Sequence, residues 1–241
     1  MATGTRSAHP TRQARRRAAT YDEIVRAART LLEQQHELTV RGVATQMGAS
    51  PAGLYRYVAN LDELRDLVAA SIDGSLALDV QADLERLPSF DTTARWLAAW
   101  TALRRWGLAR PEEFRMLIAR PRSEGAPVRE LSDALLGRLL HALWQQHDLP
   151  LPPMPAAAES GFANGVRTQV AGWPLELQWL HARVCASLHG VIALEVTGYV
   201  EPALVTSASL YRSTMIDWLA RLGQAGDFDR LMPLLDDELA R

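Results

Sequence analysis

The chain has 241 residues, is 48% hydrophobic and 22% charged, and so carries enough apolar material for a large core, which excludes an intrinsically disordered protein. Its longest apolar runs, such as Val191 to Leu194, fall far short of the roughly 18 residues a bilayer-spanning helix needs. The N-terminal arginines precede no apolar signal stretch and Cys185 is the sole cysteine, so a cytoplasmic protein with neither membrane contact nor disulfide framework is expected. The net charge of −2 hides an asymmetry: residues 1–60 hold nine arginines against four carboxylates, a balance of +5, and residues 61–241 hold seventeen against twenty-four, a balance of −7. Every basic residue is arginine rather than lysine. A basic end on an otherwise acidic chain suits contact with a polyanion, because neutralising phosphates releases counterions.

Residues 1–19 are polar and basic, with Arg12, Arg15, Arg16 and Arg17 close together, and are expected to form a flexible arm able to reach a minor groove or a run of phosphates. Thr20 and Glu23 have the spacing of a capping box, and Ile24, Val25, Ala28, Leu31 and Leu32 give the next helix an apolar face to about Gln35. The stretch Leu38 to Leu64, LTVRGVATQMGASPAGLYRYVANLDEL, then reads as two short helices joined by a tight turn. Thr39 is an N-cap, Val40, Val43, Ala44 and Met47 recur at helical spacing, and Gly48 ends the helix. Ser50 caps a second helix with Pro51 in its first position, where the missing N–H costs nothing; Leu54 and Val58 point inward, leaving Tyr55, Arg56 and Tyr57 exposed. Asn60 and Glu63 form a capping box for a further helix, which runs to about Arg86 before Pro88. A helix-turn-helix spanning residues 20–66 is the expectation.

From Phe90 onward the patterns are long and helical, without sustained alternation, so the fold class is all-α. Helices are expected from Asp91 through Trp96, Trp100 and Trp106 to near Pro111, from Glu112 to Ala119, and from about Val128 to His147. PRSEGAP and the proline-rich LPLPPMP read as loop and linker. Further helices are expected over Ala156–Ala171, Pro174–Tyr199 and Ala203–Leu222, with a short one in the tail. Residues 67–241 would make a second, helical domain.

With these motifs the chain resembles the tetracycline-repressor (TetR) family of transcriptional regulators, through the helix-turn-helix above and its Leu54-Tyr55 followed by Arg56-Tyr57. RRWGLARPEEFRMLIARP (Arg104 to Pro121) and ASLHGVIALEVTG (Ala186 to Gly198) resemble the subgroup named for a Trp-His-Gly signature, with Cys185 at the tryptophan position and His189 and Gly190 retained. Leu61 stands where the family usually has a lysine near a phosphate. The resemblance implies a homodimeric repressor that binds a pseudo-palindromic double-stranded DNA operator and is released by a small, largely apolar ligand. No cofactor is implied.

Within that reading the DNA-binding residues are Arg15, Arg16, Arg17, Thr39, Arg41, Ser50, Pro51, Ala52, Gly53, Tyr55, Arg56 and Tyr57. Arg41 and Arg56 are the expected base readers, since arginine grips guanine O6 and N7 together, whereas Pro51, Ala52 and Gly53 offer only thymine-methyl packing and close backbone approach. Thr39, Ser50, Tyr55 and Tyr57 suit phosphates. The helices that enclose the pocket in similar proteins carry Trp96, Trp100, Phe114, Leu117, Leu140, His141 and Trp144. The helices that meet a two-fold copy carry Leu188, Gly190, Ile192, Leu210, Trp218 and Leu222.

Two other readings come from the residues alone. His181, Cys185 and His189 lie at i, i+4 and i+8 on one helix stripe and would suit a metal or redox sensor, although a rise of 1.5 Å per residue sets the outer pair about 12 Å apart. A DNA-binding protein with a filled, non-inducible core is the other. An enzyme is not expected: there is no Gly-rich phosphate loop, HExxH, GxSxG or CxxC, and His189 and Glu195 face different sides of one helix.

Overall fold

Every regular element in the computed structural model is helical among the described residues, which are 11–118, 130–149, 151–164 and 172–241. The chain divides into two units, Met1–Ser71 and Ile72–Arg241.

In the first unit, α1 (Arg12–Glu33) buries Ile24, Ala27, Ala28 and Leu31 against α2 (Val40–Gln46), and α2 packs on α3 (Pro51–Leu54). The caps explain why these short helices stop and start where they do. Thr39 Oγ1 accepts the Gly42 amide at 2.9 Å and Ser50 Oγ accepts the Gly53 amide at 3.1 Å, each satisfying a donor the helix itself cannot. A β-carbon at Gly42 would lie 3.0 Å from Thr39 Oγ1, so the glycine makes room for that cap. Gly48 turns the chain at φ +67°, in the left-handed region that favours glycine. At the start of α4 (Leu61–Leu84) the capping box forms, with Asn60 Oδ1 accepting the Glu63 amide at 2.8 Å. The return bond from Glu63 reaches Ala59 N, at 2.5 Å, rather than the amide of Asn60.

The start of α1 corrects the expected flexible arm. The helix begins at Arg12 with Thr11 as its N-cap, and Thr20 Oγ1 bonds back to Arg16 O at 3.1 Å inside the helix instead of capping it. Arg15, Arg16 and Arg17 therefore stand on a helix, and the arm's first ten residues lie outside the described residues. The physical reason is composition: Arg, Gln and Ala are strong helix formers, and this segment needs no apolar face to continue a helix already anchored at Ile24.

The second unit is built around α5 (Thr92–Ala109), which packs against α6 (Pro111–Ile118), α7 (Glu130–His147), α9 (Leu175–Val196) and α12 (Phe228–Leu239). Nearly all of α5 from Thr93 to Gly107 is buried, Arg104 included, as its central position requires. A short α8 (Ala156–Asn164) lies against α9; the rest of the helix expected to Ala171 lies outside the described residues, as do Val128 and the PRSEGAP loop. Residues 151–155 of the proline-rich linker are not helical.

The single helix expected over Ala203–Leu222 is two, α10 (Pro202–Thr206) and α11 (Ser209–Arg221), broken where Ala208 takes φ +53°. A 3₁₀ turn (Ala225–Asp227) leads into α12.

Four arginines tie these helices together. Arg95 donates to Leu84 O (2.7 Å) beyond which α4 ends, Arg104 to Val205 O (2.7 Å) in α10, Arg105 to Glu238 O (3.2 Å) in α12, and Arg115 to Val196 O (3.0 Å) in α9. Each thus bonds a C-terminal carbonyl, adding to the amides of Leu87 and Ala208 that Leu84 O and Val205 O already accept. Arg105 also pairs with Asp83, and Arg115 with Glu112.

Candidate DNA-binding and effector sites

In the first unit, Arg41, Ser50, Pro51, Ala52 and Arg56 are exposed, Tyr55 is 54% exposed, and Thr39 and Gly53 are half-buried at their caps. Leu54 and Val58 are buried at 2% and 1% exposure, so the intervening Tyr55-Arg56-Tyr57 bridges two anchored points on the surface. These three residues form a turn after α3 ends at Leu54, a correction to the exposed helix expected to carry them.

Tyr57 is drawn back toward α1. Its ring meets Tyr21 edge-on at 5.7 Å, the Tyr21 hydroxyl donates to Tyr57 O at 3.2 Å, and Arg17 Nη2 donates to that hydroxyl at 3.1 Å. The same bond holds the Arg17 guanidinium above its ordinary pKa. Arg15 and Arg16 are exposed on α1. Sequence reading missed Tyr21, whose one signal is an aromatic set a turn after Arg17 and three residues before the buried Ile24. Beside it a groove of about 650 Å³ opens between α1 and α4, lined by Tyr21, Asp22, Arg26 and Arg29 on one side and Leu67 and Ala70 on the other.

In the second unit, Trp96, Trp100, Phe114, Leu117 and Leu140 are all buried, and His141 and Trp144 are half-buried. Trp96 and Trp100 meet edge-on at 6.5 Å, and neither indole N–H has an acceptor among the described residues. The rings continue beyond the expected set. His189 sets its imidazole edge-on to Trp100 at 4.9 Å, while Trp173 stacks on His141 at 5.1 Å and meets His181 at 6.2 Å. Gly137 permits this packing, because a β-carbon there would lie 3.0 Å from Trp173. Burial drives the His181 pKa down to about 4, so the imidazole is neutral at physiological pH. Trp173 and the α9 histidines were legible as aromatic residues but not as neighbours of α5 and α7.

The metal-sensor stripe does not gather. Cys185 Sγ lies 3.6 Å from His181 Nε2, but His189 turns to Trp100, and no cluster of three metal-ligating side chains occurs among the described residues. The expected dimer seam also needs correcting. Leu188 and Ile192 are 0% exposed and Leu222 is 1% exposed within one chain, and Trp218 is buried beneath the guanidiniums of Arg183 and Arg221. Those four are core residues. Gly190 is half-buried and Leu210 is 37% exposed.

An all-α chain with a capped helix-turn-helix ahead of a larger helical unit defines a class of DNA-binding regulators. Residues 96–217, just over half of the chain, match the family model for the tetracyclin repressor-like C-terminal domain. The chain belongs to the tetracycline-repressor-like family and is a DNA-binding transcriptional regulator. Its fold is similar to that of the crystal structure of SCO4313, with 21% identity and a TM-score of 0.60 over 88% of this chain and 100% of that one. It is also similar to RolR (NCGL1110) in complex with the ligand resorcinol, with 13% identity and a TM-score of 0.58 over 84% of this chain and 88% of that one. No curated protein matches the sequence. No described helix is long and apolar enough to cross a membrane.

Proposed function

We propose that this regulator is a cytoplasmic repressor which binds a pseudo-palindromic operator as a homodimer and is released by a small, largely apolar ligand. The observation that carries the DNA-binding part is the surface of the first unit: two side-chain-capped short helices that leave Arg41, Ser50 and Arg56 exposed. Arg56 and Arg41 are assigned base contacts, and the Thr39 and Ser50 caps with Tyr55 phosphate contacts.

Two ring groups, Trp96-Trp100-His189 and Trp144-His141-Trp173, support the second unit as the ligand domain, as does the small aromatic ligand in the RolR structure. The buried charges of this unit disfavour an anionic ligand, because Arg104, the buried cation among the described residues, is already paired with Glu195. Homodimerisation is supported by the large apolar side chains left exposed at Leu194 (40%), Tyr199 (82%), Leu204 (44%) and Leu210 (37%), all within one short stretch of chain. A ligand that binds the DNA-competent and incompetent states unequally then suffices for release.

The test is affinity for duplexes enriched from genomic DNA, at two salt concentrations. Wild type should bind with a steep salt slope, and Arg56→Ala should lose about 1–3 kcal/mol of sequence discrimination. Enrichment of no sequence at all would refute the reading.

A further inference from the structure

We infer that Tyr21 is a positioning residue for DNA recognition, a latch on α1 that holds the Tyr55-Arg56-Tyr57 bridge in its reading geometry. The inference rests on the DNA-binding reading above. The bridge is fixed at its ends by the burial of Leu54 and Val58, and its backbone is partly held by the Tyr57 and Val58 amides, which both donate to Leu54 O at 2.8 and 3.1 Å. The Tyr57 carbonyl in turn accepts from the Tyr21 hydroxyl, 3.2 Å away across 36 residues of sequence.

Arg17 completes the device from the other side. Its guanidinium donates to the Tyr21 hydroxyl and lies 5.6 Å from the ring centroid, so the hydroxyl accepts from one partner and donates to the other. A donor that accepts from a cation is the stronger donor onward. Tyr21 also lines the open groove between α1 and α4, so packing only partly encloses its ring, and its two hydrogen bonds and its edge contact with Tyr57 carry the positioning. Arg17 therefore acts through Tyr21 on the bridge, whereas Arg12 and Arg16 remain exposed on α1 for phosphates.

The consequence is a separation of effects. Removing a phosphate contact weakens all DNA and lowers the salt slope; loosening the bridge weakens the specific sequence alone. Tyr21→Phe keeps the ring contact with Tyr57 and deletes the hydroxyl, and Tyr21→Leu deletes both.

The experiment compares wild type, Tyr21→Phe and Tyr21→Leu for affinity to the genomic duplex that wild type enriches and to a scrambled duplex. Amide hydrogen exchange over residues 55–60 is measured on the same full-length proteins without DNA. Tyr21→Phe is expected to lose about fivefold in specific affinity, the worth of one hydrogen bond, with unchanged scrambled-duplex affinity and salt slope. Exchange over 55–60 should quicken while the rest of the first unit is unaffected, and Tyr21→Leu should exceed Tyr21→Phe in both. Unchanged specific affinity, or a loss shared equally by the scrambled duplex, overturns the inference; so does unchanged exchange. If wild type enriches no duplex, the DNA-binding reading fails, and the exchange measurement still decides whether the latch exists.

Discussion

Arg104→Met tests the polar centre of the second unit. Arg104 is 6% exposed and Glu195 4%, with Arg104 Nε 2.6 Å from Glu195 Oε2 and Nη2 2.7 Å from Val205 O. The guanidinium also lies 5.4 Å from the Tyr211 ring centroid. Methionine fills much of the same space but leaves Glu195 a buried carboxylate without its cation. Removing one partner of a buried pair costs about 3–5 kcal/mol, much more than the 0–1 kcal/mol of an exposed pair. For a unit of this size that corresponds to a melting temperature lower by roughly 6–20 °C.

The deficit should depend on pH. Desolvation raises the Glu195 pKa and Arg104 pulls it back, so losing Arg104 raises it further. A carboxyl with a raised native pKa binds more protons in the native than in the unfolded state, and stability falls as pH rises from its unfolded value through its native one. The gap between variant and wild type should therefore be widest near pH 8 and narrow toward pH 5. Arg104→Met/Glu195→Met, which removes both charges, should recover most of the loss. All seven tryptophans lie between Trp96 and Trp218, so urea unfolding followed by tryptophan fluorescence reports this unit specifically. A loss below about 1 kcal/mol at pH 8, or an equal loss at both pH values, would refute the reasoning.

His181 should act in the opposite sense. With its native pKa near 4 against about 6.5 unfolded, its contribution is complete above pH 6.5 and is lost as pH falls toward 4, so His181→Gln should flatten the acid limb of the stability profile by about 2–3 kcal/mol. Gly107→Ala would place a β-carbon 2.9 Å from Phe114, and about 1–3 kcal/mol of overpacking should outweigh the roughly 1 kcal/mol gain in helix propensity. A rise in the fluorescence-monitored midpoint would show that Phe114 yields freely. Thr39→Ala should cost the first unit about 1 kcal/mol, with Thr39→Ser restoring it in calorimetry. Leu210→Glu should shift light-scattering mass toward the monomer; a mass unchanged from wild type would place the dimer seam elsewhere.

The helix-turn-helix was legible because its boundaries are written in local chemistry: Thr39, Ser50 and Asn60 each accept the bond their side chains suit. The extension of α1 to Arg12 was not, because a polar helix lacks the apolar periodicity that sequence reading relies on. Nor was the break at Ala208, where neither glycine nor proline marks the left-handed turn. The misplaced seam has a different cause. Leu188 and Ile192 carry the same apolar stripe whether it meets the chain's own core or a second copy, and periodicity cannot tell those destinations apart. Likewise Trp96 and Trp100 were recognisable at helical spacing on one expected helix, but the approach of His189 to Trp100 and of Trp173 to His141 depends on tertiary packing between distant helices.

The carbonyl ends of α4, α9, α10 and α12 each accept from a guanidinium, those of Arg95, Arg115, Arg104 and Arg105. A guanidinium reaches two acceptors from one planar fork, as Arg104 does with Glu195 and Val205, and keeps its charge at any pH a folded protein tolerates. These joints should therefore hold in alkali, where ammonium-based ones would discharge. They are also chemically distinctive: no lysine side chain exists for acylating reagents to find, whereas a dicarbonyl that condenses with guanidiniums would reach the part-exposed Arg105 and Arg115 in the folded chain and the buried Arg104 only once the unit opens.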